Sequence, residues 1–65
     1  MWIVINIAKS SDTAEKIEKL LAAGGILVKR KPVYKNVDDT KNYYKISVLE
    51  SEVEEARDIL MENGF

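Results

Sequence analysis

Three groups of residues in this chain have the types that chemistry requires. Adjacent carboxylates stand at Asp38-Asp39 and Glu54-Glu55, where a metal ion or an acid–base pair could in principle be held. Tyr43, Tyr44 and Lys45 follow one another, and a lysine turns into a base only where burial strips its water. The third group is Lys29, Lys31 and Lys45 with Trp2 and Tyr43, cations beside rings, which is what single-stranded nucleic acid asks of a protein surface.

The first two groups have plainer explanations. Neighbouring carboxylates in a turn or at a helix start more often cap and solubilise. Consecutive tyrosines in a strand point to opposite faces, so their hydroxyls do not converge. The outward place of Lys45 keeps it wet unless an interface covers it. The chain has no histidine, the usual general base at neutral pH, and no cysteine for thiolate ligands or disulfides. Little room is left for a concave pocket. We therefore expect no enzyme, no cofactor and no metal site, and assign no catalytic residue.

Sixty-five residues make a single domain, residues 1–65. A domain of about 60 residues buries only around 60 % of the surface its unfolded chain exposes. Its stability is then on the order of 3–10 kcal/mol. Without covalent staples, such chains often gain stability by oligomerising. Hydrophobic content of 46 % with 32 % charge fits a globular domain and excludes a disordered one. The longest uncharged apolar run, residues 1–8, is too short to span a bilayer and lacks the flanks of a signal peptide. A cytoplasmic location without membrane contact is the expectation.

Net charge is −1, but it is unevenly spread. Between Lys29 and Lys45 six basic residues face only Asp38 and Asp39, a balance of +4. From Glu50 onward six acids face only Arg57, a balance of −5.

The elements that must position these residues follow from periodicity. Residues 2–7 are rich in Ile, Val and Trp and read as a strand. Strict alternation sends Ile3, Ile5 and Ile7 to the core and Trp2, Val4 and Asn6 outward. A helix follows from Asp12, with Asp12 and Glu15 spaced as a capping box and Ala14, Ile17, Leu20, Leu21 and Gly24 as its inner stripe. Glu15 and Lys19 are set four apart on its outer side, and Gly24-Gly25 ends it. Residues 26–33 form a second strand whose Pro32 and basic run belong at a sheet edge, with Ile26 and Val28 inward. Residues 34–41 make the hairpin connection. Residues 43–49 form the third strand, with Tyr44, Ile46 and Val48 inward. A second helix follows, with Ser51 and Glu54 as a capping box, Val53, Ala56, Ile59 and Leu60 inward, and a Schellman-type end at Gly64 and Phe65.

The order strand, helix, strand, strand, helix predicts an α+β chain: a truncated ferredoxin-like β-α-β-β-α fold, sheet order 1-3-2, both helices on one face. Strands one and three are expected parallel and adjacent, with strand two antiparallel to strand three. The first strand then lies on an unguarded edge, where a ferredoxin-like sheet would add one more strand. The face away from the helices carries Trp2, Val4, Leu27, Val33, Tyr43 and Leu49 among Lys29, Lys31 and Lys45, too apolar for a surface meant to stay wet.

Trp2-Ile3-Val4, the stretch Lys16-Ile17 with Leu20-Leu21 and Gly25-Ile26, and Ser51, Val53, Ala56 and Ile59-Leu60 resemble small prokaryotic domains described as signal-transducing, with a PII-like (GlnB-like) fold. The resemblance covers nearly the whole chain through its core pattern and implies a signalling role. PII proteins have a long loop between strands two and three and bind nucleotide between subunits. Here residues 34–41 are short and no glycine-rich phosphate-binding stretch occurs, so neither nucleotide nor any site residue carries over.

We therefore expect a regulatory or protein-interaction module acting as a homo-oligomer, with a dimer favoured and another protein as the other candidate partner. Its interface is expected among Trp2, Val4, Ile5, Leu27, Val33, Tyr43 and Leu49, through edge or face. The alternative is single-stranded nucleic acid bound by Lys29, Lys31, Tyr43 and Lys45 with Trp2. The acidic overall balance and the missing RNA-recognition signature weigh against it.

Overall fold

The structure, a computed structural model, describes residues 1–35, 38 and 42–65. Its central strand is β3 (Tyr44–Leu49), where Tyr44, Ile46 and Val48 are buried and Lys45 lies exposed between them. That alternation is what a strand with one dry and one wet face requires. Strand β1 (Trp2–Ala8) lies on one side of β3 and β2 (Val28–Pro32) on the other, giving the order β1-β3-β2. Helices α1 (Ser11–Ala23) and α2 (Val53–Glu62) cover the same face of the sheet, so the α+β, truncated ferredoxin-like architecture is the one expected.

One detail of the topology is corrected. Both outer strands run antiparallel to β3, so strands one and three are not parallel. The parallel pair joined by α1 is β1 and β2, and the hairpin sends the chain back into the gap between them. Its strand must therefore oppose both neighbours. Pro32 closes β2 on an outer edge, as its missing N–H demands.

Helix α1 starts earlier than the sequence suggests. Ser10 is its N-cap: the Ser10 Oγ accepts from the Thr13 N–H at 3.1 Å and donates to Thr13 Oγ1 at 3.0 Å. The expected Asp12–Glu15 box lies inside the helix, where Asp12 sits in the first turn near the positive end of the dipole. Glu15 and Lys19 do meet, at 3.4 Å. The helix ends in a Schellman motif, Gly25 N–H to Ala22 C=O and Ile26 N–H to Leu21 C=O, both 3.0 Å, with Gly25 at φ +83°.

Helix α2 is reached through a 3-10 turn at Glu50–Glu52, and the expected Ser51–Glu54 capping box does not form. Glu52 occupies the cap position and makes no side-chain bond to its own helix. Its Oε2 accepts instead from the Leu27 N–H at 3.3 Å, tying the start of α2 to the segment that enters β2. The far end is the Schellman type expected: the Phe65 N–H donates to the Leu60 C=O at 2.8 Å and Gly64 has φ +84°.

The core lies between sheet and helices. Ala14, Ile17 and Leu21 of α1 and Ala56 and Leu60 of α2 meet Ala8, Ile26, Tyr44, Ile46 and Val48, with Ile5, Val28, Val53 and Ile59 packed around them. Among the described residues no helix is long and apolar enough to cross a membrane.

Candidate functional site

The sheet face turned away from the helices is organised by its cross-strand register. Directly opposed residues of an antiparallel ladder share a face. Leu49 opposes Trp2; Ser47 opposes Val4 and Lys29; Lys45 opposes Ile7 and Lys31. Beyond them the Val33 N–H donates to the Tyr43 C=O at 2.8 Å, and Leu27 precedes Lys29 at the other end. Trp2, Val4, Leu27 and Tyr43 are exposed, and Val33 and Leu49 are half-buried. The structure thus brings Trp2, Val4, Val33, Tyr43 and Leu49 onto one face together with the three lysines, while Leu27 is exposed ahead of β2.

Ile5 is the seventh, and it departs. The β1–β3 register slips between Val4 and Asn6, leaving Ile5 as the extra residue of a bulge. Ile5 packs against the core, while every later residue changes sides. The expected inward row Ile3, Ile5, Ile7 therefore breaks: Ile7 is 56 % exposed on the open face, and Ala8 is buried at 2 %. Asn6 correspondingly moves to the helix side, opposite Ile46. A bulge also blunts an edge strand, so the β1 edge is not as unguarded as its composition implies.

Backbone directions at that edge follow from two hydrogen bonds. The Glu50 N–H donates to the Met1 C=O at 2.9 Å, and Val33 to Tyr43 as above. Bonded and non-bonded pairs alternate along an antiparallel ladder. Hence Tyr44, Ile46 and Val48 turn their peptide groups towards β1, and Lys45 and Ser47 turn theirs towards β2. Trp2, Val4 and Ile7 then direct N–H and C=O away from β3, at an edge with no further strand among the described residues.

On the face itself, Lys29 Nζ lies 5.2 Å from the centroid of the Trp2 ring, reaching across Ser47. Tyr34 and Tyr43 form a tilted pair with centroids 6.4 Å apart. Arg30, between Lys29 and Lys31, points to the helix side and stands 5.8 Å from the Tyr44 ring.

The described carboxylates of the two pairs are all exposed. Glu54 and Glu55 are exposed in the first turn of α2; Asp38 is exposed, and Asp39 lies outside the described residues, as do Asn36 and Lys41 of the expected hairpin connection. Among the described residues no group of three His, Cys, Asp or Glu is placed to hold a metal. Among the described residues, a shallow depression of about 440 Å³ opens at Met1, Leu49, Glu50 and Ser51 and another of about 340 Å³ between α1 and Phe65. Tyr43 and Tyr44 lie on opposite faces, as alternation requires.

Sequence reasoning missed Ile7, hidden by the bulge, and Asn42, which is buried at 2 % beside the hairpin. A polar residue just ahead of a strand start gives no periodic signal. The chain matches no family model, no curated protein and no solved structure.

Proposed function

We propose that this protein is a small regulatory interaction module that works as a homodimer, the β1 edges of two copies pairing across a two-fold axis. The observation that carries the reading is the outward direction of the Trp2, Val4 and Ile7 peptide groups on a strand without a charged side chain. Water can satisfy those groups, but a second strand does so while continuing the sheet beside Trp2 and Val4. The bulge limits the register. Only the regular stretch before Ile5 can pair smoothly, and a two-fold axis at Ile3 sets Trp2 opposite Val4 of the second copy. The opposite edge of the sheet, with Lys29, Arg30, Lys31 and Pro32, discourages pairing. The regulatory part of the reading draws on the core pattern shared with domains described as signal-transducing.

Molar mass by light scattering at micromolar concentration tests it. The wild type is expected as a dimer and Val4→Pro as a folded monomer, since the Val4 N–H does not serve the β1–β3 ladder. A monomeric wild type overturns the reading, and so does a Val4→Pro variant that remains dimeric with unchanged circular dichroism.

A further inference from the structure

We propose that the open sheet face binds single-stranded nucleic acid, with Trp2 and Tyr43 as stacking rings and Lys29, Lys31 and Lys45 as phosphate contacts. The inference does not rest on edge pairing, which uses the backbone of β1 and leaves the face uncovered.

The net charge of −1 conceals a separation that the fold completes. None of the three strands contains an aspartate or glutamate, whereas β2 and β3 together hold Lys29, Arg30, Lys31 and Lys45. The described acids belong to the helices, the 3-10 turn and the hairpin. Three of the four strand cations share the open face, and two of them, Lys31 and Lys45, are directly opposed. Like charges at directly opposed positions are unfavourable, and no carboxylate on the strands offsets them. A phosphate between the two would.

The rings are placed to use such a backbone. Trp2 is 39 % and Tyr43 45 % exposed, so both rings are open to a ligand. Trp2 opposes Leu49 at one end of β3, and Tyr43 precedes its other end, a separation of roughly 20 Å at about 3.3 Å per residue. The lysines fall between. Lys29 stands over the Trp2 ring, and a base stacking there would displace its flexible ammonium towards the phosphate of that nucleotide. Val4, Ile7 and Leu49 complete an apolar floor that reads no sequence, so the face recognises single strands as a class.

Other occupants fit less well. Two such faces packed together would bury three lysines from each copy in an apolar layer without counter-charges. An acidic peptide would satisfy the lysines but has no use for two rings at opposite ends.

The single tryptophan provides the readout. With the full chain at low salt, eight-residue oligothymidylate and oligouridylate are expected to quench Trp2 fluorescence saturably. The log–log salt slope should lie near −2, about −0.7 for each of three phosphates contacted. Tyr43→Ala and Lys45→Ala should each weaken binding several-fold, and Lys31→Glu at least tenfold with circular dichroism unchanged. Lys31→Gln serves as the milder variant if charge reversal disturbs the fold. The proposal is overturned if no quenching occurs up to ~1 mM strand, beyond the ~10⁻⁴–10⁻⁶ M of ordinary non-specific binding. It is equally overturned if polyglutamate quenches Trp2 as well as the oligonucleotides, or if Tyr43→Ala binds like the wild type.

Discussion

Asn42 grips the main chain of Tyr34 with both ends of its amide: Oδ1 accepts from the Tyr34 N–H at 3.0 Å and Nδ2 donates to the Tyr34 C=O at 2.7 Å. The side chain imitates an opposing strand residue and carries the β2–β3 ladder one step past the Val33–Tyr43 bond. Asn42→Ala should lower stability by about 1–3 kcal/mol in urea titration, the cost of two hydrogen bonds lost at a buried side chain. Asn42→Asp should cost a similar amount, because its carboxylate sets an oxygen against the Tyr34 carbonyl where an N–H was. A loss below about 0.5 kcal/mol for both would mean water replaces the clasp freely.

The bulge at Ile5 makes an unusual pair of expectations for neighbouring residues. Ile7→Lys, on the open face, should cost no more than about 1 kcal/mol, the like-charge contact with the opposed Lys45 included. Ala8→Lys would drive an ammonium into the core and should cost more than ~3 kcal/mol, enough to abolish a cooperative thermal transition in a domain this small. Strict alternation along β1 demands the reverse order, so the two melting curves decide between the registers.

Capping separates the two helix starts. Ser10→Ala removes the Oγ that accepts from Thr13 and should cost about 1 kcal/mol. Ser51→Ala touches no cap bond and should fall within about 0.5 kcal/mol of the wild type. Thermal unfolding monitored at 222 nm reads both.

The paired glycines after α1 act by different physics. Gly25 has φ +83°, so Gly25→Ala is strained whatever the space around it and should cost about 1–2 kcal/mol. Gly24 has an ordinary φ of −83°, but a Cβ there would come within 2.6 Å of Ile59 Cδ1, the end of a flexible side chain. Gly24→Ala should therefore cost less than Gly25→Ala. The cost should shrink further in an Ile59→Val background, a coupling that a double-mutant cycle measures.

The fold was legible where local and global signals coincide. The basic, proline-closed strand and the glycine stops each named one place in the chain, and the 1-3-2 order followed from them. Strand direction failed because the parallel pairing of the crossover was given to strands one and three, whereas α1 joins β1 to β2 and β3 runs antiparallel between them. The site was legible as a face but not as a set. Period two carried correctly through β3, yet one unannounced residue at Ile5 exchanged Ile7 for Ala8. A bulge has no compulsory residue type, so residues 2–8 read equally well as a flat strand. The capping boxes failed for a related reason. Ser10 and Asp12 both offer a cap oxygen, and the entry of the chain from β1 selects the earlier.

Holding β3 between its neighbours has a consequence for synthesis. Among the described residues β1 and β2 share no ladder except through β3, so a growing chain released as far as the second strand has no sheet at all. Its most apolar stretch must travel without a ladder until residues 44–49 leave the ribosome, open meanwhile to chaperones and to other nascent copies. A truncated product ending before those residues should be a target for proteolysis rather than a half-built domain.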